Sequence, residues 1–309
     1  MAKINPTIVL YNQKIDKSIT FNSLYKILKE NIELINHINK ILVVDNSDNE
    51  DIFKYNRKKI GDFNDEVIKV FYLGNGKNIG IAKAYNWAVN ILELENLSNN
   101  NWILLLDQDS TLTKDLFASF LQNDKEYLKN NIGIVMPRVI CKQKIVSPLL
   151  IGKPFEFQEP QRNIKGIQEK RVTGINSCSY INLNAIKKIN DFNEDFPIDY
   201  LDHITFWEIQ NKGYQVYVLE TMINHDLSFF DFPSVPLHRY KIYLEARLNY
   251  IKEVSKTNKK PLNKAIFVKD FLFLHCKRTI KNKMYKHFVY GSKVFLKFMF
   301  LHKKSKRYF

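Results

Sequence analysis

The chain has 309 residues, 45% of them hydrophobic and 13% aromatic, with ten Gly and nine Pro; this excludes a collagenous or disordered polymer and leaves room for a sizeable core. Its formal charge of +15 sits at one end: Ile251 to Phe309 carry 17 Lys and Arg against two acids, Glu253 and Asp270, whereas the first 250 residues carry 30 of each sign. Cys141, Cys178 and Cys276 are widely spaced and form no Cys-x-x-Cys pair, which excludes a zinc ribbon or a dithiol centre and fits a reducing compartment.

In chain order, the first half alternates two hydrophobic periods, as the strands and crossover helices of a largely parallel α/β sheet do. Thr7 to Tyr11 reads as a strand, and nothing before it resembles a secretory signal. No run reaches the roughly 18 to 20 apolar residues of a spanning helix, so a cytoplasmic protein is expected. Ser18 to Ile38 has Phe21, Leu24, Ile27 and Leu28 at helical spacing. Ile41 to Asp45 is a buried strand closing on a carboxylate, followed by a second helix and a strand at Val67 to Leu73. After a Gly-Asn-Gly loop, a helix is predicted over 79–94. Trp102 to Asp107 is the next strand, again ending on a carboxylate.

Open α/β sheets bind ligands beyond the carboxyl ends of their strands, so Tyr11, Asp45, the loop before Asn78 and Asp107-Gln108-Asp109 are expected around one cleft. Further on, a strand is predicted from Ile132 to Met136, and the polar, Pro-containing stretch from Lys142 to Arg171 reads as a mobile loop. Order resumes from Val172 to Leu183. A helix from Leu201 to Asn211 stops at Gly213, and a strand from Tyr214 to Leu219 points toward His225.

Two carboxylates one residue apart after a buried strand, Asp107 and Asp109, suit a hard divalent cation bridging protein to diphosphate; an Asp-x-Asp turn capping the next helix has the same look. Asn78, Gly80 and Asn86 flank a small-residue helix start, where unpaired N–H groups suit phosphate and small side chains suit plain packing.

Taken in order, Val43-Val-Asp45-Asn-Ser, Asn78-x-Gly80 with Asn86, Leu106-Asp107-x-Asp109, Phe196-Pro-Ile-Asp199-Tyr-Leu-Asp202 and the later His225 resemble the inverting family 2 glycosyltransferases, in particular their rhamnosyltransferase-like group. The resemblance covers about Thr7 to Asn249. It implies the GT-A fold, with a Rossmann-like, mostly parallel central sheet, and a nucleotide diphosphate sugar donor, a dTDP- or UDP-sugar, plausibly of rhamnose. Asp45 would then bond the imide of a pyrimidine base, with Tyr11 beside it, while Asn78, Gly80 and Asn86 serve the nucleotide. Asp107 would meet the ribose or a metal, Asp109 and His225 would complete a Mn2+ or Mg2+ site, Asp202 would be the general base and Asp199 would orient the acceptor. Arg239, with Tyr243 and Arg247, would reach phosphate of the donor or of a lipid-linked acceptor, or else form a solvated helix face. Asp226 is a weaker metal candidate.

Two departures fall on the acceptor side. Asn176-Ser177-Cys178-Ser179 stands where relatives usually carry Ser-Gly, and His203 follows the second Asp where Glu or Trp is common.

The division expected is a catalytic domain over 1–230 and a basic, aromatic-rich helical extension over 231–309. Segments such as Phe271-Leu-Phe-Leu-His275 interleave cations with apolar groups and fit an anionic membrane surface, a lipid-linked saccharide acceptor and a peripheral position on the inner face of the cell membrane. A homodimer contact is the second option; no zinc spacing or RNP-like string supports nucleic acid. The rival functions are a nucleotidyltransferase acting on sugar phosphates, whose Gly- and basic-rich phosphate loop Tyr11-Asn-Gln-Lys14 matches poorly, and a non-catalytic protein binding membrane or polyanion.

Overall fold

The computed structural model describes residues 1–94, 100–152, 156–159, 164–225, 232–257 and 268–304. Two compact units result, Met1–Asp226 and Leu227–Phe309.

The first unit is built on strands β1 (Lys3–Leu10), β2 (Ile41–Asp45), β3 (Val70–Gly74), β4 (Asn101–Leu106), β5 (Ile132–Cys141), β6 (Lys144–Ser147), β7 (Leu149–Ile151), β8 (Phe157–Gln158), β9 (Gly166–Ile167), β10 (Val172–Thr173), β11 (Ser179–Asn182) and β12 (Gln215–Asn224). Its helices are α1 (Ile19–Glu30), α2 (Ile32–Ile35), α3 (Glu50–Lys59), α4 (Ile81–Glu93), α5 (Lys114–Gln122), α6 (Asp124–Lys129), α7 (Leu183–Ile189) and α8 (Leu201–Asn211). The main sheet runs β3-β2-β1-β4-β11-β5-β12-β9, with β6 paired to β5; β10, β7 and β8 form a small second sheet. β1 to β4 are mutually parallel and β12 is parallel to β5, while β11 enters antiparallel between β4 and β5.

Burial on both faces explains the continuous apolar runs of β1, β2 and β4. Ile4, Ile8, Leu10, Trp102, Leu104 and Leu106 join Phe21, Leu24, Phe117 and Phe120 in one core. The alternate residues Ile103 and Leu105 are also buried, and α4 and α7 pack on β1, β2, β4 and β11. Phe120 stacks on Tyr180 at 4.0 Å and meets Trp102 edge-on at 5.4 Å.

Several expected boundaries move. The helix predicted from Ser18 breaks at Asn31, whose φ of −137° and ψ of 75° are not helical. The stretch from Lys142 to Arg171 is not one loop: β6 to β9 fall within it, because short pairings to β5, β12 and the small sheet satisfy its backbone. Residues 153–155 and 160–163 of that stretch lie outside the described residues. β5 and β12 each run to ten residues, longer than their apolar runs, and their pairing shifts register between Val218 and Met222.

The second unit contains α9 (Leu237–Thr257), a π-helical turn over Asp270–Cys276, α10 (Lys277–Lys281) and α11 (Tyr285–Lys304). The basic extension is therefore helical over its described residues. No helix among them is long and apolar enough to cross a membrane.

Candidate active site

The chain leaves β1 for β2 and β3 on one side, then returns to β4 on the other, so the sheet has its switch point between β1 and β4. Asp107 follows the last residue of β4. His225 follows the last residue of β12 and its N–H is held by Ile140 O at 3.0 Å. These two strand ends bring residues more than a hundred positions apart into one cluster. His225 Nε2 lies 3.8 Å from Asp107 Oδ2 and its Nδ1 3.9 Å from Asp109 Oδ1, and one ligand atom from each residue lies within 4.8 Å of the others.

A serine pair supports the cluster from beneath. Ser110 Oγ is 3.1 Å from His225 Nδ1 and 2.9 Å from Ser177 Oγ, and Ser177 bonds Asp107 in turn. Ser110 and Ser177 are both buried. Burial pushes the Asp107 carboxyl up to about 6; the charges of Asp109 and Asp202 push the same way, while His225 and the Ser177 hydroxyl pull it down. Asp109, by contrast, is 56 % exposed. Two carboxylates and an imidazole, each offering one ligand atom within 4.8 Å of the others, fit Mn2+ or Mg2+: hard oxygen donors suit both, and imidazole favours Mn2+.

Gln108, between the two acids, organises the neighbouring loops. Its side-chain Oε1 accepts from Tyr11 N at 2.8 Å, and its carbonyl accepts from Ser18 Oγ at 2.8 Å. Tyr11 stays exposed at the end of β1. Thr20 Oγ1 and Ser110 exchange two hydrogen bonds, so the start of α1 clamps the acidic loop. The sequence assigned none of the hydrogen bonds made here by Ser18, Thr20, Gln108, Ser110 and Ser177, although Gln108 and Ser177 lie in segments it placed beside the cleft and on the acceptor side.

Asp45 sits two strands from β4, about 10 Å away by strand spacing. Its carboxylate is 2 % exposed and accepts from Ser47 N (3.0 Å), Asn56 Nδ2 (2.8 Å) and Tyr72 OH (2.7 Å). These bonds hold the loop after β2, and a base imide at Asp45 would take the place of one of them. Asn46 and Asn78 clasp each other: Asn46 Nδ2 donates to Asn78 Oδ1 (3.1 Å), and Asn46 Oδ1 accepts from Ile79 N (2.7 Å).

Gly80 has φ +83°, and Ile81 N donates to Pro197 O at 2.9 Å, which ties the start of α4 to the segment carrying Asp199 and Asp202. Asn86, expected to serve the nucleotide, bonds a neighbouring loop. Both its amide atoms pair with the Phe192 backbone, at 2.9 and 2.8 Å, so it pins the loop ahead of Asp199.

Asp202 lies in the first turn of α8, after Tyr200 in a left-handed conformation. Its charge raises Asp107 and the buried phenol of Tyr85, which puts it within electrostatic reach of the acidic cluster. His203 N donates to Asp202 Oδ1 at 2.8 Å, while the His203 ring stacks on Phe157 at 4.4 Å and bonds Thr173 Oγ1 at 2.7 Å. Asp199 is half-buried just before the helix. Cys178 adopts φ +65° and is buried; burial and the Asp107 charge push its thiol up to about 12. Arg239 belongs to α9, in the other compact unit from the remaining site residues. Asp226 lies outside the described residues.

No protein-family profile matches the sequence, and no curated protein matches it. Among solved structures, GalNAc-T7, crystallised with UDP, GalNAc and Mn2+, superposes with a TM-score of 0.56 at 11% identity, over 82% of this chain and 48% of its own. The chain thus spans about half the length of that protein. TarS 1–349 from S. aureus superposes at 0.50 with 14% identity, over 94% of this chain and 80% of its own. At these identities the likeness is one of fold. The mixed α/β architecture, with its large and mostly parallel sheet, is that of GT-A glycosyltransferases.

Proposed function

We propose that this chain is a GT-A glycosyltransferase that moves a sugar from a nucleotide diphosphate donor to a hydroxyl of a saccharide acceptor, with inversion at the anomeric carbon. The observation that carries this reading is the convergence of Asp107, Asp109 and His225 at the ends of two strands, with Asp202 in electrostatic reach. Support for the donor also comes from the UDP and Mn2+ bound by GalNAc-T7. The family 2, rhamnosyltransferase-like assignment rests on the ordered motifs from Asp45 to His225.

Asp107, Asp109 and His225 would hold the Mn2+ or Mg2+, which when bound offsets charge on the diphosphate leaving group. Tyr11, exposed beside the Asp45-braced loop, would flank the base, and the start of α4 after Gly80 would face the nucleotide. In the reaction the acceptor oxygen attacks the anomeric carbon and its proton passes to the Asp202 carboxylate. The bond to the diphosphate breaks, and its electron pair leaves with the nucleotide. Asp199, before the helix, would orient the acceptor, a lipid-linked or growing surface polysaccharide. No covalent enzyme intermediate is required.

The test is a panel of UDP-, dTDP- and GDP-sugars with and without Mn2+, following release of nucleoside diphosphate in the presence of simple saccharide acceptors and recording donor binding by calorimetry. Metal-dependent binding or turnover that Asp109→Ala abolishes is expected. Absence of both for every donor sinks the proposal.

A further inference from the structure

The described side chains of α11, from Tyr285 to Lys297, divide into an inner and an outer set. On the inside, Gly291 makes room for the buried His275, since a Cβ there would come 2.1 Å from its ring. His275 stacks on Phe288 at 5.6 Å, Phe295 meets Phe271 at 5.0 Å, and Tyr290 OH donates to Glu245 at 2.8 Å. His287 Nε2 lies 3.0 Å from Val235 O. Successive helical residues advance by about 100°, so these five positions share one arc.

The remaining arc has a different composition. Tyr285, Val289 and Leu296 are exposed and fall within about 40° of one another at that helical step. Lys286, Lys293 and Lys297, also exposed, line up beside them, about 80 to 120° round from Tyr285. From Val268 to Lys297 the chain contains one acid, Asp270.

We propose that this outer arc is a bilayer-docking face, with Tyr285, Val289 and Leu296 at the acyl boundary and the three lysines among anionic lipid headgroups. An apolar stripe flanked by cations on one side of a helix is what an interfacial helix requires. A second copy of the chain is a poor occupant: a two-fold contact sets like lysines against like lysines with no acid on the arc to neutralise them. Three side chains also fall short of the roughly 800 Å² per partner that a stable interface buries. The proposal does not depend on the donor chemistry of the other unit.

The experiment is sedimentation of the full chain with phosphatidylcholine vesicles, with and without phosphatidylglycerol, at low and high salt. Binding to the anionic vesicles alone, weakened by salt, is expected. Lys286→Gln with Lys293→Gln and Lys297→Gln lowers the partition coefficient by about 100-fold. Val289→Asp with Leu296→Asp removes binding at either salt, and because all five positions are exposed, circular dichroism remains that of the parent. Indifference to lipid charge, no binding, or variants that bind as the parent does would overturn the proposal. So would a lipid-free dimer dissolved by Val289→Asp with Leu296→Asp, which would give the arc to a second copy.

Discussion

Ser110 Oγ lies 3.1 Å from Nδ1 of His225, a residue 115 positions later in the chain. A buried hydroxyl at Nδ1 leaves Nε2 on the Asp107 side, so one small side chain would set which ring nitrogen a bound cation meets. We expect Ser110→Ala to weaken Mn2+ binding by about 10- to 100-fold, the usual effect of losing such an outer partner. Paramagnetic resonance of Mn2+ with the donor-free protein measures this; unchanged affinity would leave Ser110 a packing residue.

Asp107 carries a cost in the metal-free protein. Its carboxyl is raised to about 6 by burial, above the unfolded value of about 3.9, so its contribution is fully present below pH 4 and is lost as pH rises through 6. With the side chain 34 % exposed, solvent screening cuts the effect to on the order of 1 to 2 kcal/mol. Asp107→Asn should therefore raise the metal-free unfolding temperature at pH 7.5 and have little effect at pH 4, while Mn2+ binding is lost. Urea titrations at the two pH values check the sign.

Gly80 is needed for two reasons at once. Its φ of +83° suits no L side chain, and a Cβ would come 3.2 Å from Pro197 Cβ and 3.3 Å from Pro197 O. Gly80→Ala should cost about 1 to 3 kcal/mol of stability. Because Pro197 leads into Asp199 and Asp202, turnover should fall as well. Chemical denaturation and steady-state kinetics on the same preparation test both effects.

Asn86→Ala separates a bracing role from a nucleotide contact. The variant leaves the Phe192 N–H and C=O without partners, for an expected loss of about 1 to 3 kcal/mol. Donor affinity measured by calorimetry at low temperature should stay within about twofold, a change of less than 0.5 kcal/mol. A large loss of donor binding with intact stability would restore the nucleotide role.

Much of the sheet is legible in the chain because strands buried on both faces must be apolar along their whole length. Ile41 to Asp45 matches β2 residue for residue, and the helix from Leu201 to Asn211 is found as read. Asp107 is legible as a candidate for the same reason, being the first polar group after such a run; Asp109 follows from the Asp-x-Asp spacing, and His225 from its place in the order of motifs. β7 to β10 are not, since strands of two or three residues carry no hydrophobic period to read.

Local sequence thus determined where the apolar runs end, and therefore which polar side chains stand at the rim of the sheet. Only the tertiary structure decided what those side chains touch. Asn86 and Phe192, Gly80 and Pro197, and Ser110 and His225 are pairs separated by more than 80 positions, and nothing in the composition of either partner names the other. Cys178 shows the same limit: its left-handed backbone arises because its N–H is held by Leu105 O at 2.8 Å, as β11 enters antiparallel beside β4. Hydrophobic periodicity reports solvent, which each residue meets locally; hydrogen-bond partners depend on strand order, which only the folded chain possesses.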